Sequence, residues 1–436
     1  MSIQKLSGDE DEIMLKKACI LNGVPWFDQN GETVNARGAC VLKEGNEYYL
    51  FGEYKTNDVN KYVGFSCYSS YNLSDWHFEG LALPPQEQGL LGPDRIGERV
   101  KVLKNHKTGT YVMLMHTDNL KYTDPCIGLA TCDTIDGTFK FQGPLLFEGQ
   151  PIRMWDMGTF VDEDGTAYLL LHEGDIYRLS DDYLTAVEKV AKNIAPGGES
   201  PAMFRHGDNY YMMFSNKTSW ERNDNYYFVS NNLHGPWKEQ GLFCPKDSLT
   251  YNSQCSFVFS LEADGKTVPI YMGDRWSFPR QASSATQVWL PITVAKEDTC
   301  YIPEYWPVWA SESISQVLLE RLDKPLPFRS NQRGDSVCYA FEGSQIIIYG
   351  TSDCHGGYAE FFIYDHTDEL IHRAIIHFYS WVPDSNMKYV SPKLSHGNYT
   401  LKVGVMGENG VWFKKDGTQF GSDDYFVTIE SVKVCT

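Results

Sequence analysis

The chain has 436 residues, with 57 Asp and Glu against 38 Lys and Arg and a formal net charge of −19. That balance argues against nucleic acid and anionic membrane as partners, since both would repel it, and no run of about 20 apolar residues is present to span a bilayer. Aromatic residues make up 14 % of the chain, with 27 Tyr and 11 Trp, a supply that serves sheet packing first and sugar stacking second.

The N-terminus carries an acidic Gly8-Asp9-Glu10-Asp11-Glu12 run and lacks the basic region, apolar core and cleavage site of a signal peptide. A cytoplasmic location is expected, or a secreted one if a leader has been removed. Eleven cysteines are scattered without paired metal-type spacing, and Cys40, Cys67 and Cys255 fall inside apolar strands, where a small buried thiol is the expected role. No metal or cofactor is called for. Residues 13–35 hold Trp26, Phe27 and the turn Asp28-Gln29-Asn30-Gly31, a predicted strand and turn.

Five hairpins follow. Gly38–Leu42 turns through Lys43-Glu44-Gly45-Asn46 into Tyr48–Glu53, and Glu98–Leu103 turns at Thr108-Gly109 into Tyr111–His116. Asp156–Val161 returns as Ala167–Leu171, Glu199–Arg205 as Tyr210–Ser215, and Ser253–Phe259 as Ile270–Trp276. Each joins β-formers through Gly, Asp or Asn, the local signature of a hairpin. Their polar heads recur every 43 to 58 residues, and further strands (Tyr62–Tyr68, Ile127–Cys132) lie between them. A repeat of that length is a four-stranded blade, which predicts an all-β five-bladed β-propeller over residues 1–312. Beyond Ser313 the pattern changes to alternating strands at 344–350, 358–365, 398–405 and 425–432. These predict a second domain over 313–436, a β-sandwich of jelly-roll type.

A propeller brings its inner strands side by side along the axis, so their first residues crowd one end of the channel. Glu98, Asp156, Glu199 and Gln254 should meet there, with the Arg37 region completing the ring. Carboxylates crowded together repel, and at least one should keep its proton above the usual pH, as acid–base chemistry requires. The blander readings are strand-head residues satisfied by backbone amides, a Glu98–Arg99 ion pair, and a structural Gln254. Asp274 and Arg275 are expected to pair with each other beneath the pocket. His116 or His172 could hold an axial ion, against the default of a hydrogen-bonded core histidine.

The motifs Gly52-Glu53, Glu98-Arg99-Val100-Lys101-Val102-Leu103, Trp155-Asp156-Met157-Gly158, Glu199-Ser200-Pro201-Ala202, Ser253-Gln254 and Gly273-Asp274-Arg275-Trp276 come in order at propeller spacing. Over residues 20–312 the chain resembles glycoside hydrolase family 43, and more narrowly its branch that includes exo-β-1,3-galactanases. The sandwich is similar to carbohydrate-binding modules that accompany such enzymes. The resemblance implies an inverting glycosidase with Glu199 as general acid and Asp156 as the carboxylate that orients it and raises its pKa. Where most of the family places an aspartate at the head of blade one, this chain has Asn35-Ala36-Arg37-Gly38. Two readings of the base stand: Gln254, as proposed in that branch, or Glu98. Glu53, Tyr122, Arg37, Asn223 and Arg275 are the candidate substrate-binding residues. The expected function is an exo-acting, inverting hydrolase of galactan or arabinogalactan, with a terminal β-1,3-linked galactose as first choice. An α-L-arabinofuranosidase of the same fold and a non-catalytic glycan-binding propeller are the alternatives. The partner is an oligo- or polysaccharide, and the oligomeric state is not legible.

Overall fold

The computed structural model describes residues 4–5 and 18–435 except 264, 297, 320–323 and 415. The acidic run at 8–12 and the start of the predicted 13–35 segment lie outside the described residues. Three four-stranded units, a six-stranded unit in third place and a three-stranded unit in fifth place succeed one another along the chain. The third adds Leu146–Phe147 and Gln150–Pro151 to four antiparallel strands, through a parallel pairing of Phe147 with Ala186. Blade one pairs Arg37–Glu44, Glu47–Glu53, Phe65–Ser70 and His77–Leu83 in sequence order. Blade two begins at Arg95–Lys104, blade three at Met157–Val161, blade four at Glu199–His206 and blade five at Gln254–Ala263. The fifth blade holds three strands, ending with Thr286–Pro291.

Every predicted hairpin is present, and the turns follow the local chemistry. Gly45, Gly109, Gly165 and Gly207 take positive φ at the tips, where a side chain would be strained. Less expected is a second irregularity at the axial end. The ladder slips between Arg37 and Cys40, between Glu98 and Lys101, between Glu199 and Ala202, and between Cys255 and Phe257. Gly38, Arg99 and Ser200 sit in these bulges at φ of 55°, 55° and 60°, and Asp156 reaches 42° just before its strand. A bulge re-aims the side chains around it. Repeated blade after blade, it turns the strand heads into the channel.

The channel below holds buried charge. Arg37, Lys101 and Asp274 are buried there. Lys101 Nζ donates to Gly38 O at 2.7 Å, and Asp274 accepts from Gly38 N at 3.1 Å. Burial pushes the Lys101 ammonium down to about 8, the response of a cation taken out of water. The blades themselves bury the apolar residues that alternate with these groups, with Trp289 and Trp309 the largest fully buried side chains.

The ring closes on Asn22. Its amide nitrogen donates to Trp289 O (2.8 Å) and Trp306 O (2.9 Å), while its oxygen accepts from Trp289 N at 2.7 Å. Gly23 N adds a bond to Gln287 O. The N-terminal segment thus lies along the last strand of blade five. Cys19–Leu21 pairs in turn with Val308–Ala310, which pairs with Ser315–Leu318.

Strand 315–318 thus joins 308–310, 19–21 and 4–5 in a small sheet of its own, and Val317 packs in one cluster with Ile347 and Val390 of the sandwich. The sandwich strands begin at Lys324. Two antiparallel sheets of four strands face each other, in the orders 324–330, 427–435, 345–352, 384–390 and 336–343, 397–405, 358–365, 370–377. Ile346, Ile348, Phe361, Ile363 and Val403 fill the space between them. The sandwich is bonded to the propeller through buried polar contacts. Tyr379 Oη donates to Glu221 at 2.5 Å, Asn252 donates to Ser380 at 2.9 Å, and Ser277 meets Tyr358 and His377. No helix among the described residues is long and apolar enough to cross a membrane.

Asn22→Ala takes the side-chain partner from two buried backbone groups, Trp306 O and Trp289 N, while Trp289 O keeps its bond from Trp309 Nε1. The cost is about 3 kcal/mol at roughly 1 to 3 per orphaned group. The expected outcome is a clearly lowered thermal midpoint with an unchanged β-sheet circular-dichroism spectrum at 25 °C. An unshifted midpoint would show that ring closure does not depend on this residue.

Candidate active site

A cavity of about 710 Å³ opens at the axial end where the strand heads converge. Its floor is Glu53, Glu98, Arg99, Asp156, Glu199 and Gln254, and its wall includes Tyr122, Trp155, Trp220 and Trp276. The three carboxylates expected to meet do so, together with the glutamine.

Arg99 ties them together. Its Nε donates to Asp156 at 2.7 Å, its Nη2 to Gln254 Oε1 at 2.8 Å, and its backbone N to Glu53 at 2.8 Å. Its guanidinium carbon stands 5.3 Å from the centre of the Trp276 ring. The blander reading of a Glu98–Arg99 ion pair does not hold, since Arg99 bonds to Asp156 and Gln254 and Glu98 to Asn60 and Tyr122. With Arg99 in the left-handed region, the two neighbours point to different partners.

Asp156 spends its other oxygen on Ser200 N at 2.9 Å, the amide next to Glu199. It therefore braces the backbone beside Glu199. Asp156, His172 and Glu199 each offer a ligand-type atom within 4.8 Å of one another. Burial first, and then the charge of Asp156, raise the Glu199 carboxyl to about 8. A carboxyl desolvated beside a like charge keeps its proton at neutral pH.

Glu98 has the opposite environment. Oε1 accepts from Asn60 Nδ2 (2.7 Å) and Tyr122 Oη (2.8 Å), and Oε2 lies 3.3 Å from His116 Nδ1. Burial works to raise this carboxyl, but the contact with His116 and the charge of Lys55 outweigh it and hold Glu98 well below the usual range. His116 lies between Glu98 and Asp118; burial lowers its pKa, yet the two carboxylates carry it up to about 9. One carboxyl is kept protonated and another ionised inside one cavity, which is how environment assigns acid and base roles.

Gln254 uses all of its hydrogen-bonding capacity. Oε1 accepts from Arg99 Nη2 and from Trp276 Nε1, each at 2.8 Å, and Nε2 donates to Glu199 Oε1 (3.0 Å) and Ser215 Oγ (2.8 Å). Arginine and indole N–H groups can only donate. They fix the oxygen as an acceptor, so the amide orientation is set and the imidic-acid tautomer, which needs a proton on that oxygen, is opposed.

Glu53 and Tyr122 reach the cavity as expected, but three other candidates do not. Arg37 lies beneath the floor, 2 % exposed, with its guanidinium on Val34 O and facing Asp274; burial brings it down to about 10. Arg275 points away from the axis. It donates to Tyr251 O at 3.0 Å, stacks over Tyr305 and approaches Asp384 of the sandwich at 3.8 Å, so it makes no pair with Asp274. Adjacent strand residues face opposite sides of a sheet, which is why these two cannot share the pocket. Asn223 is buried in its own loop, bonded to Asn216 and Thr218.

The latter two do serve the site indirectly. Leu249, Thr250, Tyr251 and Asn252 all take φ between 49° and 59°, a left-handed turn costing roughly 1–2 kcal/mol per residue. Arg275 holds its Tyr251 carbonyl, and the Asn223 carbonyl accepts from Thr250 Oγ1. That turn leads directly into Gln254.

Because Glu199 is held neutral, its contribution to stability is complete below its ordinary value of about 4.5 and is lost as pH rises through about 8. Glu199→Gln is neutral throughout. The thermal midpoint of this variant, relative to the parent, should rise steadily between pH 5 and pH 9; a constant difference would mean that Glu199 is not held protonated.

The sequence profile of glycosyl hydrolases family 43 matches residues 36–243. A Bifidobacterium bifidum protein provisionally assigned as an exo-β-1,3-galactanase is 36 % identical, over 64 % of this chain and 95 % of its own, with a TM-score of 0.60. A β-1,3-galactosidase of the same family, solved with galactodeoxynojirimycin, is 26 % identical over 65 % of this chain and 98 % of its own (TM-score 0.58). The Phanerochaete chrysosporium exo-β-1,3-galactanase, solved with galactose, is similar in fold at 23 % identity, over 95 % of this chain and 99 % of its own, with a TM-score of 0.68. No curated protein matches the chain significantly.

Proposed function

Because the chain belongs to glycosyl hydrolases family 43, we propose that it removes terminal β-1,3-linked galactose from galactan or arabinogalactan chains, with inversion at the anomeric carbon. The observation that carries this reading is the pairing of a protonated Glu199 with an ionised Glu98 in one sugar-sized cavity. Galactose enters the reading from the relatives, whose ligands are galactose and a galactose mimic. Family membership sets the non-catalytic alternative aside.

In this reading Glu199 protonates the departing glycosidic oxygen, and water attacks the anomeric carbon from the opposite face. Asp156 is a positioning residue. An inverting pair needs about 6.5–9.5 Å between its carboxyls to admit that water, whereas Asp156 and Glu199 approach within 4.8 Å. Both Asp156 oxygens are also engaged already.

Of the two candidates for the base, Glu98 is the better. Its charge is secured, and its Oε2 carries one near contact, at 3.3 Å from His116, with Lys55 at 3.8 Å from Oε1. The water's proton passes to that carboxylate. Gln254, locked as an amide, instead holds the acid in place.

Glu199→Gln should lower turnover of β-1,3-galactobiose by about a thousandfold, within the range of general acid catalysis, while sugar binding persists. Proton NMR of the parent reaction should display α-galactose as the first-formed product. Formation of β-galactose first, or of internal fragments alone, would sink the assignment.

The base is decided by rescue. Glu98→Ala should lose about a hundredfold to a thousandfold and recover with azide, forming α-galactosyl azide from a β-galactoside with a good leaving group. Gln254→Ala should not be rescued by azide. The reverse pattern would transfer the role to Gln254.

A further inference from the structure

The cavity wall includes three residues that do not belong to the propeller: Phe413, Lys414 and Asp416. They come from a sandwich hairpin that pairs Val411–Phe413 with Gln419–Gly421. Neighbouring strand residues face opposite ways, and the hairpin uses that alternation. Trp412 is buried edge-on against Tyr379, with ring centres 5.5 Å apart. Phe413 faces away from this anchor and stays 59 % exposed, on the side that lines the cavity. Exposed aromatic rings inside a polar-floored cavity are binding surfaces before they are anything else.

The hairpin's place in the fold tells which sugar it meets. Glu199 pairs across blade four with Ser215, and the loop leaving Ser215 carries Lys217, Ser219 and Trp220 to the cavity wall. Trp220 stacks on Phe278, with ring centres 5.5 Å apart and an angle of 3° between planes. The hairpin root packs against that same residue: a Cβ on Gly410 would come within 2.7 Å of Phe278 O. The hairpin therefore stands on the side of the cavity built by the loop that leaves Glu199's own blade. The acid's side is the side on which the leaving group departs, because the proton is delivered to the leaving oxygen.

Resting on the family reading above, we propose that the C-terminal sandwich completes the active site by providing, through Phe413, an aromatic platform for the sugar on the leaving-group side. The polar floor then selects the terminal sugar, and Phe413 with Trp220 receives the one behind it. The sandwich acts within the catalytic pocket and not as a detached sugar binder. Its rigid docking through Glu221–Tyr379, Asn252–Ser380 and Arg280–Glu408 keeps the ring in place.

The test compares two substrates in the full-length protein. β-1,3-Galactobiose presents a sugar on the leaving-group side, and β-galactosyl fluoride presents only a fluorine. Phe413→Ala should lower kcat/KM for the disaccharide about tenfold, the loss expected of a truncated aromatic contact. The fall on the fluoride should stay within about twofold. Phe413→Tyr, which keeps the ring, should hold the disaccharide within about twofold of the parent. Equal losses on both substrates, or no loss on the disaccharide, would overturn the proposal. Should the parent cleave no β-1,3-galactobiose, the galactan assignment fails on its own. The same variants are then compared on the glycoside that is cleaved and its glycosyl fluoride, with the same two outcomes.

Discussion

The site depends on one buried cation. Arg99 reaches Asp156, Gln254, the Glu53 side chain and the face of Trp276 from a single position. Four of the five blades are thereby joined at the axis. Burial works against its charge, yet the surrounding carboxylates, Asp156 foremost, raise its pKa further. A buried ion pair gives little net stability, but removal of one partner leaves the other uncompensated. Arg99 is thus less a source of stability than of geometry, since it fixes where every neighbouring carboxylate points. The chain's net charge of −19 makes this more telling. Arg37, Lys55, Arg99 and Lys101 are all buried along the axis, where the acidic strand heads would otherwise repel one another.

Around that cation two carboxyls diverge. Asp156 satisfies both of its oxygens and leaves the neighbouring Glu199 with a like charge and a single amide donor. Glu98 has Tyr122, Asn60, His116 and Lys55 about it. Identical side chains are sorted by their surroundings. Glu199 and Glu98 head strands of different blades, and the groups around Glu98 come from loops and a return strand of blades one and two, so the difference between the two carboxyls is a property of the ring and not of any one hairpin.

Much of this was legible in the chain. Hairpin turns repeat at blade length, and the heads Glu98, Asp156, Glu199 and Gln254 needed only the propeller's geometry to be brought together. What could not be read was conformation at single residues. Arg99, Asp156 and Ser200 take left-handed backbone without being glycine, as does the whole turn from Leu249 to Asn252, and no local signal marks them. The bulge at Arg99 sends its side chain to Asp156 and not to Glu98, which rules out the simple ion pair that adjacency in sequence offers. Arg275 and Arg37 failed as pocket residues for related reasons, one by strand alternation and the other by burial beneath the floor. Phe413 lies outside every repeat, in a segment whose strands are three residues each, and only tertiary docking brings it to the cavity.

Blade one has no carboxylate at the head of its first strand and reaches the cavity from another position. Arg37 heads that strand and turns down toward Asp274, but Gly38 follows it at φ of 55°. A Cβ there would lie 2.1 Å from Glu53 Oε1. The glycine thus leaves the space that Glu53, from the neighbouring strand, occupies to reach Arg99 N, while Lys55 pairs with its other oxygen at 2.6 Å. Blade one still delivers a carboxylate to the cavity, from its second strand in place of its first. That carboxylate is bound to Arg99 N and Lys55, which suits it to shaping the floor.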